Sequence, residues 1–318
     1  MAYNFALIGA SGYVAPRHMR AIKETGQNLV AAVDTNDSVG IIDTYFPDAS
    51  FFTEFERFDR HSEMLRRAGK EFKIHYVSIC SPNYLHDAHI RFAMREGAHA
   101  ICEKPLVLNP WNAEALQLIE SEAGCKVNTV LQLRLHPSII ELKKKIEKAA
   151  AKEKYDIELT YITPRGKWYN YSWKGNVLKS GGVATNIGIH FFDMLTWIFG
   201  SEKENILHLS EYNKASGALE LEKANVKWFL SIDRNDLPAH LISDKPVTYR
   251  SVKVNGEEFE FSEGFTDLHT ASYREILKGN GYGIKEALPS LEITYKIRNA
   301  LPIGIKGEYH PMLLKLKK

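Results

Sequence analysis

The fold of this 318-residue chain is decided by Ile8-Gly9-Ala10-Ser11-Gly12-Tyr13-Val14-Ala15, which links the first apolar run to an amphipathic segment. The stretch reads G-x-x-G-x-x-A, one residue longer between the first two glycines than the usual G-x-G-x-x-G/A. Small residues here allow backbone N–H groups to approach a pyrophosphate at the N-terminus of a helix. An ordinary tight strand-to-helix turn would use similar residues, so the context has to decide between the two.

An acidic residue at the end of the second apolar run supports the dinucleotide interpretation. Asp34 lies 34 − 9 = 25 residues after Gly9, near the ~20 expected for the acid that accepts the adenosine ribose hydroxyls. A carboxylate at this position would repel a 2′-phosphate. The sequence therefore predicts a site for NAD rather than NADP.

The first part of the chain alternates between short apolar runs and longer amphipathic segments. Runs this continuously apolar are typical of strands buried on both faces of a parallel sheet, and strand–helix alternation predicts a doubly wound Rossmann sheet. The predicted strands are Asn4–Ile8, Leu29–Val33, His75–Cys80, His99–Cys102 and Val127–Leu131.

After Arg134 the pattern changes to half-buried strands. In Asp156–Ile162 apolar and polar residues alternate, and similar segments follow, with Asn255-Gly256 as a hairpin turn signal. We therefore predict an α/β protein with an NAD-binding Rossmann domain over 1–134. A substrate-binding and oligomerisation α+β domain over 135–318 would hold a largely antiparallel, open-faced sheet. The open face needs a cover, and self-association is the simplest one.

Composition excludes several classes of protein. Lys plus Arg minus Asp plus Glu is 41 − 39 = +2, so no strong field predicts a nucleic-acid partner. No apolar run approaches the ~20 residues that span a bilayer, and the first residues lack the basic start of a signal peptide. Three cysteines without ligand-like spacing predict free thiols and no metal site. We therefore expect a cytoplasmic protein without a membrane segment.

Three polar motifs follow predicted strands or open a helix. Ser81-Pro82-Asn83-Tyr84-Leu85-His86 and Glu103-Lys104-Pro105 come after the third and fourth strands, where a doubly wound sheet presents its ligands. Gly181–Asp193 opens a helix in which Asn186 and His190 are spaced i, i+4 and would share a face. Taken singly, Glu103-Lys104 is also typical of an exposed strand end. His190, taken singly, is also typical of a histidine in a protein core.

Taken together, these motifs resemble the glucose–fructose oxidoreductase / inositol dehydrogenase (Gfo/Idh/MocA) family over essentially the whole chain. The chain departs from the family pattern in its longer glycine loop, in Asn186 where Asp is common, and in Trp173-Lys174 where Trp-Arg is usual. The resemblance implies NAD as the cofactor and a homodimer or homotetramer.

One branch of that family is more similar still. The stretches Ala6–Arg20, Tyr76–His86, Tyr161–Gly175 and Gly264–His269 resemble bacterial UDP-N-acetyl-D-glucosaminuronate 3-dehydrogenases. This resemblance implies oxidation of the 3-hydroxyl of a UDP-linked uronic acid in lipopolysaccharide O-antigen synthesis. A partner aminotransferase would then install an amine at that carbon.

The family motifs indicate which residues of this chain would form the site. Lys104, His190 and Asn186 would be catalytic. Five residues would bind the substrate, and these are Arg165, Lys167, Tyr169, Asn186 and His190. The cofactor would be bound by Gly9, Ser11, Gly12, Tyr13, Val14, Asp34, Ser81, Pro82, Asn83, His86, Glu103, Lys104, Gln132 and Trp173.

Oxidation of a secondary alcohol requires a base for the hydroxyl proton while the hydride leaves the carbon. His190 fits this role by its intrinsic pKa, and Lys104 is the alternative base if desolvation and nearby positive charge lower its pKa. In 165–174, cations interleave with aromatic residues, which suits an anionic, ring-bearing ligand. A basic surface loop is the alternative interpretation.

Two other functions remain open from the sequence. A dehydrogenase of a free sugar or inositol would need no site for UDP. A non-catalytic sensor that binds a dinucleotide would need neither Lys104 nor His190.

Overall fold

The computed structural model describes residues 2–149, 154–242, 247–261 and 267–316. The chain divides into two compact units, Met1–Gln132 with Thr266–Leu288, and Leu133–Phe265 with Pro289–Lys318. This division differs from the predicted 1–134 and 135–318 chiefly because a late segment returns to the first unit. Of the resembling stretch Gly264–His269, residues 264–266 lie outside the described residues.

The strands of the described residues form two sheets. They are β1 (Asn4–Ile8), β2 (Asn28–Val33), β3 (Ser50–Phe52), β4 (Tyr76–Ile79), β5 (His99–Cys102), β6 (Val127–Thr129), β7 (Tyr155–Ile162), β8 (Glu202–Ser210), β9 (Lys214–Leu221), β10 (Ala224–Ser231), β11 (Tyr249–Val254) and β12 (Glu257–Glu258).

The helices of the same residues flank these sheets. They are α1 (Ala15–Glu24), α2 (Ile41–Tyr45), α3 (Phe55–Ala68), α4 (His86–Arg95), α5 (Pro110–Ala123), α6 (Pro137–Lys148), α7 (Trp168–Tyr171), α8 (Val177–Ser180), α9 (Ile189–Phe199), α10 (Leu268–Leu277), α11 (Ile284–Asn299) and α12 (Met312–Lys315). None of them is both long enough and apolar enough to cross a membrane.

The first unit contains a six-stranded sheet in the order β3-β2-β1-β4-β5-β6. All its strand pairs are parallel, so the predicted doubly wound sheet is confirmed. The strand order changes direction at β1, because β2 pairs with one edge of β1 and β4 with the other. The loops after β1 and β4 therefore meet at the switch point, where such sheets bind ligands. Edge strand β3 was not predicted, since its three half-buried residues are too few to form a recognisable apolar run.

Helix α10 completes the core of the first unit although it follows the second sheet in sequence. Tyr273 of α10 is fully buried in one cluster with Phe5, Met19 and Ile22. Its ring stacks on that of Phe5 at a centroid distance of 5.9 Å. No local pattern indicates this packing, because it joins segments about 250 residues apart.

The second unit contains a sheet in the order β12-β11-β7-β10-β9-β8. All its neighbouring strands are antiparallel except β7 and β10, so the predicted largely antiparallel sheet is also confirmed. Helix α9 covers one face, where the ring of Phe192 meets the fully buried Trp228 edge-on at 5.3 Å.

The chain's own C-terminal segment covers part of the opposite face. The N–H of Ile303 donates to the carbonyl of Leu207 at 2.9 Å, and Nε2 of His310 lies 3.0 Å from the hydroxyl of Thr160. The His310 ring also stacks on Phe229. The C-terminal segment therefore covers part of this sheet, and the expectation that self-association covers the rest stays a prediction.

Candidate functional site

The glycine loop of the first unit is shaped by close contact between two backbone segments. Gly9 has φ +89°, and a Cβ atom on it would lie 2.6 Å from the carbonyl carbon of Cys80. Any larger residue would therefore push the loop after β1 away from the loop after β4. Gly12 is less restricted, since a Cβ there would lie 3.1 Å from the carbonyl oxygen of Gly9, a tight contact that a small shift of the backbone relieves.

Asp34 is anchored next to this loop by two backbone donors. Its Oδ2 accepts the N–H of Ser11 at 2.9 Å, and its Oδ1 accepts that of Asn36 at 2.9 Å. The side chain is half-buried, and each carboxylate oxygen retains acceptor capacity for a hydroxyl. Exposed Tyr13, whose ring lies 5.6 Å from the guanidinium of Arg17, and half-buried Val14 complete the loop.

The motif after β4 turns its histidine inward. His86 is fully buried, with Nδ1 2.7 Å from the carbonyl oxygen of Pro105 and Nε2 2.9 Å from that of Ser81. Burial lowers the pKa of His86, although both carbonyl contacts oppose the shift. His86, predicted to bind the cofactor, thus links two loops. Asn83 is buried and Pro82 half-buried in the same turn.

Glu103 also faces the protein interior. Its Oε1 accepts hydrogen bonds from Nε2 of His18 and from Nε2 of His269, both at 2.9 Å. Burial alone would raise the pKa of Glu103, but these hydrogen bonds hold it well below its usual range. Lys104 follows as a half-buried residue, joined to Pro105 by a cis peptide bond.

In the second unit, Asn186 lies on a π turn rather than on a regular α-helix. The turn spans Ala184–Gly188 and leads into α9, which carries half-buried His190. The predicted i, i+4 relation of Asn186 and His190 is therefore not α-helical, because a π turn holds more residues per turn. Such turns occur frequently at functional sites.

The structure brings two predicted substrate residues together. Nδ2 of Asn186 donates to the hydroxyl of Tyr169 at 2.6 Å. Tyr169 is 2% exposed, and burial raises its pKa. The phenol therefore keeps its proton at neutral pH and can donate it to a bound hydroxyl.

A buried ion pair fixes the helix that carries His190. Asp193 accepts from Arg134 through both oxygens, at 2.7 Å to Nη2 and 3.1 Å to Nε, and both side chains are buried. No local sequence pattern indicates this pair, since 59 residues separate its members.

The basic and aromatic segment places one lysine against two indole rings. Nζ of Lys174 lies 5.2 Å from the ring centre of Trp168 and 5.5 Å from that of half-buried Trp173. Burial and, after it, the charge of Arg165 lower the pKa of Lys174. Arg165 and Lys167 are exposed. Gln132, which is also predicted to bind the cofactor, is half-buried at the start of a 3₁₀ turn in the first unit.

Two family models match the chain. The model described as "Oxidoreductase family, NAD-binding Rossmann fold" matches residues 3–130, and "Oxidoreductase family, C-terminal alpha/beta domain" matches residues 143–232. The two models describe the N-terminal and the C-terminal domain of the Gfo/Idh/MocA family.

Two solved structures of the WlbA (WbpB) dehydrogenase from Thermus thermophilus resemble the chain over nearly its full length. The complex with NAD and UDP-GlcNAcA is 48% identical, covers 97% of this chain and 99% of that one, and has a TM-score of 0.91. The complex with NAD and alpha-ketoglutarate is 48% identical, covers 97% and 98%, and has a TM-score of 0.92.

Curated relatives match over shorter segments. Inositol 2-dehydrogenase of Rhizobium meliloti is 26% identical over 148 residues, which are 46% of this chain and 41% of the relative. The chain thus aligns with about two fifths of that enzyme's length.

Proposed function

Because the chain belongs to the Gfo/Idh/MocA oxidoreductase family, we propose that it oxidises the 3-hydroxyl of UDP-N-acetyl-D-glucosaminuronic acid with NAD. The observation that carries this proposal is the 48% identity, over 97% of this chain, to a dehydrogenase crystallised with NAD and UDP-GlcNAcA. The substrate of that dehydrogenase therefore supports the proposal more strongly than inositol does, because the inositol dehydrogenase matches at 26% identity over 46% of this chain.

The residues of the first unit fit NAD. Gly9 lets the loop after β1 lie against the loop after β4 at the switch point, where the pyrophosphate would bind, and Asp34 is positioned by two backbone N–H groups to accept ribose hydroxyls. NAD, when bound, supplies the acceptor for the hydride that leaves C3 of the sugar. Gly12, Ser11, Tyr13 and Val14 would line the pyrophosphate and ribose.

In this proposal His190 takes the hydroxyl proton and Lys104 holds the reacting hydroxyl in register. Lys104 remains the alternative base, because a deprotonated amine can also accept the hydroxyl proton. Asn186 would orient the hydroxyl, with its amide fixed by Tyr169. As a neutral residue, Asn186 supplies no carboxylate to raise the basicity of His190.

The cations of the second unit are the proposed contacts for the anionic parts of the substrate. Arg165 and Lys167 are exposed, and Lys174 is held by Trp168 and Trp173. A diphosphate and a carboxylate would satisfy these cations through charge-assisted hydrogen bonds.

A substrate panel tests the proposal. Reduction of NAD is measured with UDP-N-acetylglucosaminuronate, UDP-N-acetylglucosamine, free glucuronate and myo-inositol. We expect turnover chiefly of the UDP-linked uronic acid, and loss of that turnover in Lys104→Met and His190→Asn. Equal turnover of free sugars would favour a sugar or inositol dehydrogenase, and NAD binding without oxidation of any substrate would favour a sensor.

The proposed 3-keto product is the basis for a proposed pathway. A 3-keto sugar nucleotide is the substrate that an aminotransferase needs, so we propose a partner aminotransferase and a role in bacterial O-antigen synthesis. We further propose a cytoplasmic homodimer or homotetramer, which light scattering of the purified protein would test.

The fate of the reduced cofactor can be tested with a keto acid. One Thermus structure holds NAD and alpha-ketoglutarate, so we propose that this keto acid reoxidises NADH in place. NADH, a proton and alpha-ketoglutarate would give NAD and 2-hydroxyglutarate. The proposal predicts formation of 2-hydroxyglutarate with the sugar as the only added reductant. Turnover that depends on added NAD and ignores the keto acid would contradict it.

A further inference from the structure

Three buried histidines hold the tripeptide Glu103-Lys104-Pro105 from both sides. His18 and His269 contact the carboxylate of Glu103, and His86 contacts the carbonyl oxygen of Pro105. His18 and His86 are fully buried, and His269 is 7% exposed. All of these residues belong to the first unit.

The hydrogen bonds on the Glu103 side specify where the protons lie. An ionised carboxylate only accepts, so Nε2 of His18 and Nε2 of His269 must both carry hydrogen. Nδ1 of His18 lies 2.7 Å from the hydroxyl of Tyr273, whose oxygen lies 2.6 Å from that of Ser78. Burial lowers the pKa of His18, which favours a neutral ring that accepts from Tyr273.

On the Pro105 side, His86 joins the two loops that end strands β4 and β5. Its Nδ1 lies 2.7 Å from the carbonyl oxygen of Pro105, 19 residues later, and its Nε2 lies 2.9 Å from that of Ser81, 5 residues earlier. Carbonyl oxygens only accept, so a neutral His86 ring donates to one of them and packs against the other. In either tautomer the ring lies between Pro105 and the loop that begins at Ser81.

We infer that His18, His269 and His86 are positioning residues that fix the backbone around Lys104 and so aim its side chain at the reacting hydroxyl. The inference rests on the proposed catalytic role of Lys104. None of the three histidines has to touch cofactor or substrate, because they act through Glu103 and Pro105.

A metal ion is the competing interpretation of His18, Glu103 and His269. Their nearest ligand-type atoms all lie within 4.8 Å of one another. Tetrahedral zinc with bonds of about 2.0–2.1 Å would separate its ligands by about 3.3 Å, whereas both histidines lie 2.9 Å from Glu103. That distance is usual for an N–H···O hydrogen bond.

Two variants of His269 separate positioning from simple packing. His269→Gln retains an N–H donor near the original Nε2, whereas His269→Leu leaves Glu103 with one donor fewer. We expect His269→Leu to lower kcat about 10- to 100-fold through misplacement of Lys104, with KM and the dissociation constant for NADH little changed. His269→Gln should recover most of kcat.

Thr270→Val is the matched control on the same helix. Thr270 is buried and donates to Glu24 at 2.8 Å, with no link to Glu103. We expect it to lower the melting temperature without changing kcat. Equal kcat losses in Thr270→Val and His269→Leu, or no rescue by His269→Gln, would contradict the inference.

Nitrogen-15 NMR of the histidine-labelled protein tests the network without turnover. We expect Nε2–H tautomers for His18 and His269, and a shift of the His18 signals in Tyr273→Phe. Nδ1–H tautomers, or stoichiometric zinc lost in His269→Leu, would overturn the inference. Full activity of Lys104→Met would instead overturn the proposed role of Lys104, and leave the tautomers as expected.

Discussion

At the scale of single residues, Asp34 is the group that should select the cofactor. Its carboxylate is positioned by the backbone N–H groups of Ser11 and Asn36. In Asp34→Ser we expect NAD binding to weaken about 10-fold or more, because hydrogen bonds to a charged acceptor contribute about 1.5–3 kcal/mol. Binding of NADP should improve, because the repulsion of its 2′-phosphate is removed.

Fluorescence titration with NADH and NADPH measures both changes. Asp37→Asn removes a charge from an exposed position of the same loop and is expected to leave the ratio of the two affinities unaltered. An unaltered ratio in Asp34→Ser would place the adenosine ribose elsewhere.

Tyr169 tests the proposed substrate contacts at the same scale. Tyr169→Phe keeps the buried ring and removes the hydroxyl that accepts from Asn186 at 2.6 Å. We expect kcat/KM for the UDP-sugar to fall about 10-fold, the effect of roughly one lost hydrogen bond. Steady-state kinetics measures it, with Tyr171→Phe as a control because Tyr171 is 88% exposed. If both variants kept full activity, Tyr169 would have no role in binding or orientation.

At the scale of elements, the π turn before α9 depends on close packing against β10. A Cβ atom on Gly188 would lie 2.5 Å from Cδ1 of Leu230 and 3.0 Å from the ring of Phe192. Gly188→Ala should therefore lower the free energy of unfolding by about 1–3 kcal/mol, as expected of an overpacked core. It should also lower kcat, because Asn186 lies on this turn.

Denaturant titration and kinetics check this prediction together. Gly40→Ala is the control, since a Cβ atom on Gly40 would have no neighbour within 4 Å. Unchanged stability in Gly188→Ala would mean that Leu230 moves aside without cost.

At the scale of the whole molecule, buried histidines should make stability fall at acid pH. Burial, with a smaller contribution from His86, lowers the pKa of His89 to about 4, against about 6.5 in an unfolded chain. As the pH falls below about 6.5, the unfolded state binds the proton first, so stability is lost. Between pH 7 and pH 5, His89 alone should cost at most about 2 kcal/mol.

Urea unfolding at both pH values measures this loss. His89→Phe keeps a ring next to Phe55, on which His89 stacks at 5.1 Å, and should show a smaller loss than the wild type. His240→Asn changes an exposed histidine and should behave like the wild type. An identical loss in His89→Phe would assign the acid sensitivity to other groups.

Local patterns predicted most of the parallel sheet and the loops that end its strands. The predicted strands Asn4–Ile8 and His99–Cys102 match β1 and β5, because a buried strand must be apolar along its whole length. Strand β3 could not be predicted from an apolar run, because it is half-buried and three residues long. The i, i+4 spacing placed Asn186 on a regular helix, since the packing of Gly188 against Leu230 that accompanies the π turn is not visible in a local pattern.

The sequence by itself determined the family, the proposed NAD-binding loop and the proposed catalytic side chains, because these depend on residue types at short spacings. Only the tertiary structure decided how those side chains are held. The contacts of Glu103 with His18 and His269, and of Arg134 with Asp193, join residues 59 to 166 positions apart. Such partners meet only when distant segments pack together and bury their polar groups, and those groups must then find hydrogen bonds inside the protein.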